Sequence, residues 1–202
     1  MFSIMGGLLS NSSAIIQSFV AHYGYLAIFV LMALESASLP VPSEVLLPLV
    51  GYLAYTHVFN FYLAFGILML GSIVGMSIDY TIGYYLGKDV IYKHLRTFHI
   101  KEKSLNDFDA WFDRNGLAAV FLSRFIPEVR GLMSFPAGFA KMPLKEFFAY
   151  SIAGALIWNL VLMLFGFYLL SAHSAVVIMA SIGIFAVVLY VIYRVSIKRI
   201  RG

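Results

Sequence analysis

Long apolar stretches dominate this chain, and their polar interruptions predict its elements. Tyr25 to Tyr55 is apolar but is broken by Pro40, Pro42 and Pro48 and carries Glu35 and Glu44. At 1.5 Å per residue it makes about 46 Å of helix, short of the ~60 Å that two crossings of a ~30 Å hydrocarbon core require. One crossing would be overlong and broken at its centre, so the pattern predicts a re-entrant hairpin with helices on either side of Leu39-Pro40-Val41-Pro42. Proline cannot donate to a helix ladder and pushes the preceding residue out of the helical region, so irregular backbone is expected at that apex. Such backbone survives at membrane depth only inside protein or beside a wet cavity.

Phe59 to Leu86 predicts a full span, with Gly66, Gly71, Gly75 and Gly83 for close helix contact and Asp79 towards one end. Gly116 to Ala140 repeats the hairpin problem: it is mostly apolar, yet holds Arg124, Glu128 and Arg130 with Pro127 and Pro136. Phe147 to Leu170 and Ala175 to Tyr193 predict two ordinary spans joined by a tight turn at Ser171 to Ser174. Leu8 to His22 is mildly amphipathic and predicts an interfacial helix.

Composition agrees with a membrane solvent. Of 202 residues, 61% are apolar and 12% charged, and the mean hydropathy is +0.89; four stretches are long and apolar enough to be considered as spans. A soluble domain of this length could not hide that much apolar surface. Charge then supplies orientation. Every Lys and Arg lies at or after Lys88, and the first 87 residues hold only Glu35, Glu44 and Asp79 as charged side chains. Cytoplasmic segments collect Lys and Arg, so the loop 88 to 115 and the C-terminal tail are expected in the cytoplasm. Residues 116 to 140 must then enter and leave on the cytoplasmic side, whereas the first hairpin enters from outside. The fold expected is an all-α polytopic membrane protein in one domain, residues 1 to 202. It holds two opposed re-entrant hairpins as an inverted repeat, about three full spans and the interfacial helix. Inverted halves with broken helices at the midplane are a usual construction of secondary transporters. A faint echo of Pro48, Gly51, Tyr52 and Ala54 in Pro136, Gly138, Phe139 and Ala140 points the same way.

Other classes recede. The pI near 9.2 comes from bases in two membrane-flanking segments, interleaved with acids in the first, so no nucleic-acid partner is expected. With no cysteine there is no disulfide framework and no thiolate nucleophile. His22 and His57 have no second ligand at helical spacing, so neither a metal nor a cofactor is expected. A lipid phosphatase would need histidines placed for chemistry, and neither a Ser and His pair for a protease nor a Gly-rich phosphate loop is present, so no enzyme is expected. The N-terminus lacks a basic n-region and an early cleavage site, so no removable signal is expected.

Charge inside a bilayer costs ~2.5 to 3.5 kcal/mol per group on insertion scales, which makes the buried charges the candidate site. Arg124 and Arg130 flank Pro127, so a helix broken there could aim both guanidiniums into one cavity, and guanidinium suits bidentate phosphate recognition. Glu35 and Glu44 flank Pro40 and Pro42 in the same way. Protonation of a buried carboxylate depends on whether an anion occupies a neighbouring arginine, which is a proton-coupling device. The bland reading is that these charges only staple the hairpins together. Asp79 is a third proton site or an orienting group. Glu128 is a counter-ion for the arginines, and Asn159, beside Trp158, bonds a neighbouring helix. Pro40, Pro42, Pro127, Pro136 and Gly138 are the expected apex and hinge positions.

At these residues the chain resembles the DedA family, also described as the SNARE-associated Golgi or VTT-domain family. The resemblance rests on Glu35 with the Pro40-Val41-Pro42-Ser43-Glu44 turn, on the glycine-rich run ending Gly83-Tyr84-Tyr85-Leu86-Gly87-Lys88, and on Ser123-Arg124-Phe125-Ile126-Pro127-Glu128-Val129-Arg130. That last run continues through Pro136-Ala137-Gly138 to Trp158-Asn159. It implies a polytopic protein with opposed re-entrant hairpins that moves lipid between leaflets. The lipid implied is a polyprenyl phosphate carrier such as undecaprenyl phosphate, driven by the proton-motive force; other family members act as phospholipid scramblases. By position, Glu35 and Glu44 would be the proton-linked carboxylates and Arg124 and Arg130 the essential arginines, whereas Glu128 is less expected in that motif. The partners implied are therefore an anionic lipid and protons, with a homodimer as a further possibility and the plasma membrane of a prokaryote as the location. The alternatives are a general phospholipid scramblase and a proton-coupled small-ion or drug antiporter.

Overall fold

The computed structural model describes residues 15–97, 102–126 and 129–169, with side chains at 88–109 and 169 excepted. Among these residues every regular element is helical. Residues 15–23 form α1, followed by α2 (Tyr25–Ser36), α3 (Ser43–Tyr55), α4 (Phe61–Thr97), α5 (Glu102–Ser123), α6 (Ser134–Phe139) and α7 (Leu144–Leu169).

Two stretches, Phe61–Gly87 and Leu144–Tyr168, are long and apolar enough to cross a membrane. α4 breaks at Gly87, whose φ of 71° lies in the left-handed region that favours glycine. The Asn60 side chain accepts from Leu63 N at 3.1 Å and so caps the start of α4. The segment expected as a loop, 88 to 115, is instead largely helical, because α4 runs on to Thr97 and α5 starts at Glu102. The expected span 175 to 193, the turn before it and residues 8 to 14 lie outside the described residues. Of the expected interfacial helix, 15–23 is helical and sends Ile16 and Val20 into the core.

The proline-rich turn falls where the sequence predicts. α2 and α3 have 12 and 13 residues, or roughly 18 to 20 Å each, so neither alone reaches across a ~30 Å core. Between them Ser38 takes a φ of 58°, and Pro42 is the extended residue preceding α3. Pro48 stands inside α3. Pro136 and Gly138, expected at a hinge, lie inside the short α6. Proline is tolerated in a helix's first turn because the N–H it lacks has no partner there.

Packing follows an exchange rule. The two arms of the first hairpin diverge: α2 lies on α4, whereas α3 lies on α7. The second half does the converse, with α5 on α7 and α6 on α4. Glycines make both crossings possible. A Cβ added at Gly51 in α3 would stand 2.0 Å from Met163 O, and one at Gly138 in α6 would stand 2.2 Å from Tyr80 O. Their partners reciprocate, Gly166 against Pro48 O and Gly83 against Phe135 O. The first arms match as well, since Gly71 faces Phe29 O and Gly154 faces Phe121 O. Gly71 and Gly83 stand twelve residues apart on α4, and so do Gly154 and Gly166 on α7. Both second arms also end in a left-handed residue, His57 and Lys141. The two halves thus share a reciprocal pattern of packing. Their register pairs Gly51 with Gly138, which sets Pro48 opposite Phe135 rather than opposite Pro136, one residue away from the echo read in the sequence.

Candidate functional site

The ends of the broken arms bring the charges together at the centre. Glu35 closes α2, Glu44 opens α3, and Arg130 comes from the turn between α5 and α6. Arg130 Nε lies 2.5 Å from Glu35 Oε1, an ion pair whose N–H is not aligned as a hydrogen bond. Its Nη2 donates to Glu44 Oε1 at 3.1 Å and to Ser43 Oγ. Ser36 Oγ donates to Glu35 Oε2 at 3.0 Å, and the Trp158 ring stands 5.8 Å from the guanidinium carbon.

Solvent separates the two carboxylates. The Glu35 and Arg130 side chains are 7% and 8% exposed, whereas the Glu44 side chain is 43% exposed. Removing one partner of a buried pair costs roughly 3 to 5 kcal/mol because a charge is left uncompensated, while an exposed pair contributes ~0 to 1 kcal/mol. Glu35 therefore dominates the local balance, and Glu44 is the looser ligand. All three side chains border a cavity of ≈480 Å³ that opens at the apex and is lined by Leu39, Pro40, Val41 and Pro42 on one side and Gly131 and Leu132 on the other.

Arg124 stands apart from this cluster. It is buried, and its Nη2 donates to Ser134 Oγ at 3.1 Å and to Ser151 Oγ at 2.9 Å, tying α6 and α7 to the end of α5. Its Nε has no hydrogen-bond partner among the described residues. The sequence predicts both guanidiniums in one cavity, but only Arg130 reaches the larger one. The two share instead a chamber of ≈10 Å³, with Glu35, Ser36, Ser72, Trp158 and Asn159 also on its wall.

Asp79 makes no ion pair with Arg124 or Arg130 among the described residues. Buried in α4, it accepts a hydrogen bond from Ser38 Oγ and so holds the tip of the first hairpin, and it also interacts electrostatically with Arg124. Gly131 of the second hairpin packs on that same Ser38. Pro127 and Glu128 lie outside the described residues. Asn159 bonds a neighbouring helix as expected, donating to Ser72 Oγ at 3.4 Å. The residues the sequence reading missed are serines: Ser36, Ser43, Ser134 and Ser151. A lone serine in an apolar stretch carries no signal until the fold shows which arginine it faces.

The VTT domain family matches residues 41–168. The chain belongs to this family of membrane proteins, the DedA family. Its relatives span it broadly. The uncharacterized membrane protein YbfM of Bacillus subtilis is 36% identical over 152 residues, covering 75% of this chain and 94% of that protein. Undecaprenyl phosphate transporter A of Staphylococcus aureus is 32% identical over 187 residues, 91% of each chain. Protein DedA of Escherichia coli K12 is 28% identical over 157 residues, 74% of this chain and 71% of that protein. No solved structure matches significantly. Both the hairpin turn from Val41 onward and the arginine turn fall inside the matched residues. A DedA-family protein with transporters among its relatives agrees with the expectation that the chain is not an enzyme.

Proposed function

We propose that this protein moves an anionic lipid, a polyprenyl phosphate carrier, between membrane leaflets in a proton-coupled manner. The carrying observation is that Arg130, largely buried, forms the wall of a ≈480 Å³ cavity while held by two carboxylates. A phosphate arriving through that cavity competes with Glu44 and then Glu35 for the guanidinium. Glu35, buried and no longer paired once the arginine is taken, accepts a proton, which couples lipid to protons. Arg124 is the second phosphate-binding group, and the isoprenoid tail stays in lipid beside α4 and α7. Asp79 serves by holding Ser38, and through it the first hairpin, in place. The name of the S. aureus relative, undecaprenyl phosphate transporter A, supports the choice of lipid.

In this reading α2–α3 and residues 116–140 are re-entrant hairpins entering from opposite faces of a prokaryotic plasma membrane. Residues 88–115 and the C-terminus face the cytoplasm. The length of α2 and α3, the exchange packing and the placement of all Lys and Arg after residue 87 support it.

The test is movement of a fluorescent polyprenyl phosphate in proteoliposomes, with and without a pH gradient, for wild type, Arg124→Ala, Arg130→Ala and Glu35→Gln. The expected result is flipping that follows the gradient and falls at least tenfold in variants that remain monodisperse. Gradient-independent flipping that extends to ordinary phospholipids would replace this reading with a scramblase. No lipid movement would return the carboxylates to a small-ion antiporter.

A further inference from the structure

Glu35 and Arg130 line both the ≈480 Å³ cavity at the apex and the ≈10 Å³ chamber behind it. They are the only residues common to the two linings among the described residues. Their ion pair therefore stands between the larger compartment and the smaller one. The smaller compartment has an unusual wall for an apolar bundle. Ser36, Ser72, Arg124 and Asn159 are all buried there, each can donate hydrogen bonds, and Glu35 is the one carboxylate among them. Arg124, whose Nε has no hydrogen-bond partner among the described residues, lines that wall. A buried, unpaired guanidinium N–H costs free energy unless something visits it. At ≈10 Å³ the chamber holds about one water and no larger ligand.

We infer that the chamber is a second, occluded station for a phosphate-type anion, with the Glu35–Arg130 pair as its gate. When Glu35 leaves Arg130, the partition opens and the lone carboxylate retreats from a wall of donors, so the two compartments become one. The anion then passes from Arg130 to Arg124, with Ser72 of α4 and Asn159 of α7 as positioning donors. No covalent step is involved. This inference rests on the proposed anion transport, but a lipid-free measurement addresses it separately.

The chain has no cysteine, so a single introduced thiol reports without background. Leu39→Cys lies in the outer cavity and Ser72→Cys in the chamber. The purified full chain in detergent is treated with a small anionic, membrane-impermeant methanethiosulfonate. Leu39→Cys should react rapidly in every background. Ser72→Cys should react at least tenfold more slowly, accelerate at least tenfold when combined with the near-isosteric Glu35→Gln, and stay slow with Glu44→Gln, because Glu44 lines only the outer cavity. In the Glu35→Gln background, inorganic phosphate should slow Ser72→Cys at least threefold relative to chloride at equal ionic strength and leave Leu39→Cys unchanged. Three results would each overturn the inference: equal reactivity of the two thiols without Glu35→Gln, equal acceleration by Glu35→Gln and Glu44→Gln, or phosphate protecting neither thiol or both. Loss of lipid flipping with this pattern intact would defeat the lipid assignment and leave the gated anion station standing.

Discussion

Arg130 shows how one side chain can be both a staple and a binding group. Its ion pair with Glu35 is buried, so the pair is more costly to break than to lack altogether. Arg130→Ala is expected to lower stability by about 3 kcal/mol because Glu35 loses its counter-ion. Adding Glu35→Gln should return a large part of that loss, since no charge then remains unpaired. Thermal unfolding of the two single variants and the double variant in detergent measures the coupling. Additive losses would show that the two side chains do not depend on each other. Glu44→Gln should change stability by less than about 1 kcal/mol, as its side chain is 43% exposed.

At the scale of elements, the arms of each hairpin are held by spans rather than by each other, and glycine sets how closely they approach. Gly51→Ala places a methyl group where a Cβ would be 2.0 Å from a carbonyl oxygen of α7, and the backbone of one helix must move. Overpacking of this kind costs roughly 1 to 3 kcal/mol. Gly138→Ala should behave alike at the α4 contact. Gly66, on the same α4, has nothing within 4 Å of an added Cβ. Gly66→Ala is therefore expected to be neutral or to stabilise by up to about 1 kcal/mol through helix propensity. Melting temperatures of the three variants decide it, and a Gly66→Ala as damaging as Gly51→Ala would contradict the packing account.

For the whole molecule, the exchange of second arms ties the two halves into one body. A movement of α3 relative to α2 must also move α7 against α4, because each arm belongs to a different span. The proposed opposed entry of the hairpins has a direct consequence for access. Thr56→Cys at the end of α3 and Ala140→Cys at the end of α6 are both exposed positions. In oriented membranes an impermeant thiol reagent should label Thr56→Cys from outside and Ala140→Cys from the cytoplasmic side. Labelling of both from one face would remove the inverted arrangement.

The sequence by itself determined the class of solvent, the helical content and the candidate charges. Hydropathy and charge asymmetry are sums along the chain and need no contacts to be read. The proline turn was equally legible, because Pro40 and Pro42 act on their own backbone and their immediate neighbours. The family was legible in the arginine motif. Which arginine meets which carboxylate was not. Arg124 and Arg130 are six positions apart and look alike in sequence, yet one is tied to Ser134 and Ser151 and the other to Glu35, Glu44 and Ser43. That division depends on α3 crossing to α7 while α6 crosses to α4, and those crossings are set by reciprocal glycine contacts between residues roughly fifty to a hundred and twenty positions apart. Local pattern records what each segment can bury; only the packed structure decides what each buried charge faces, because electrostatic energy in a low-dielectric interior depends on distance in space.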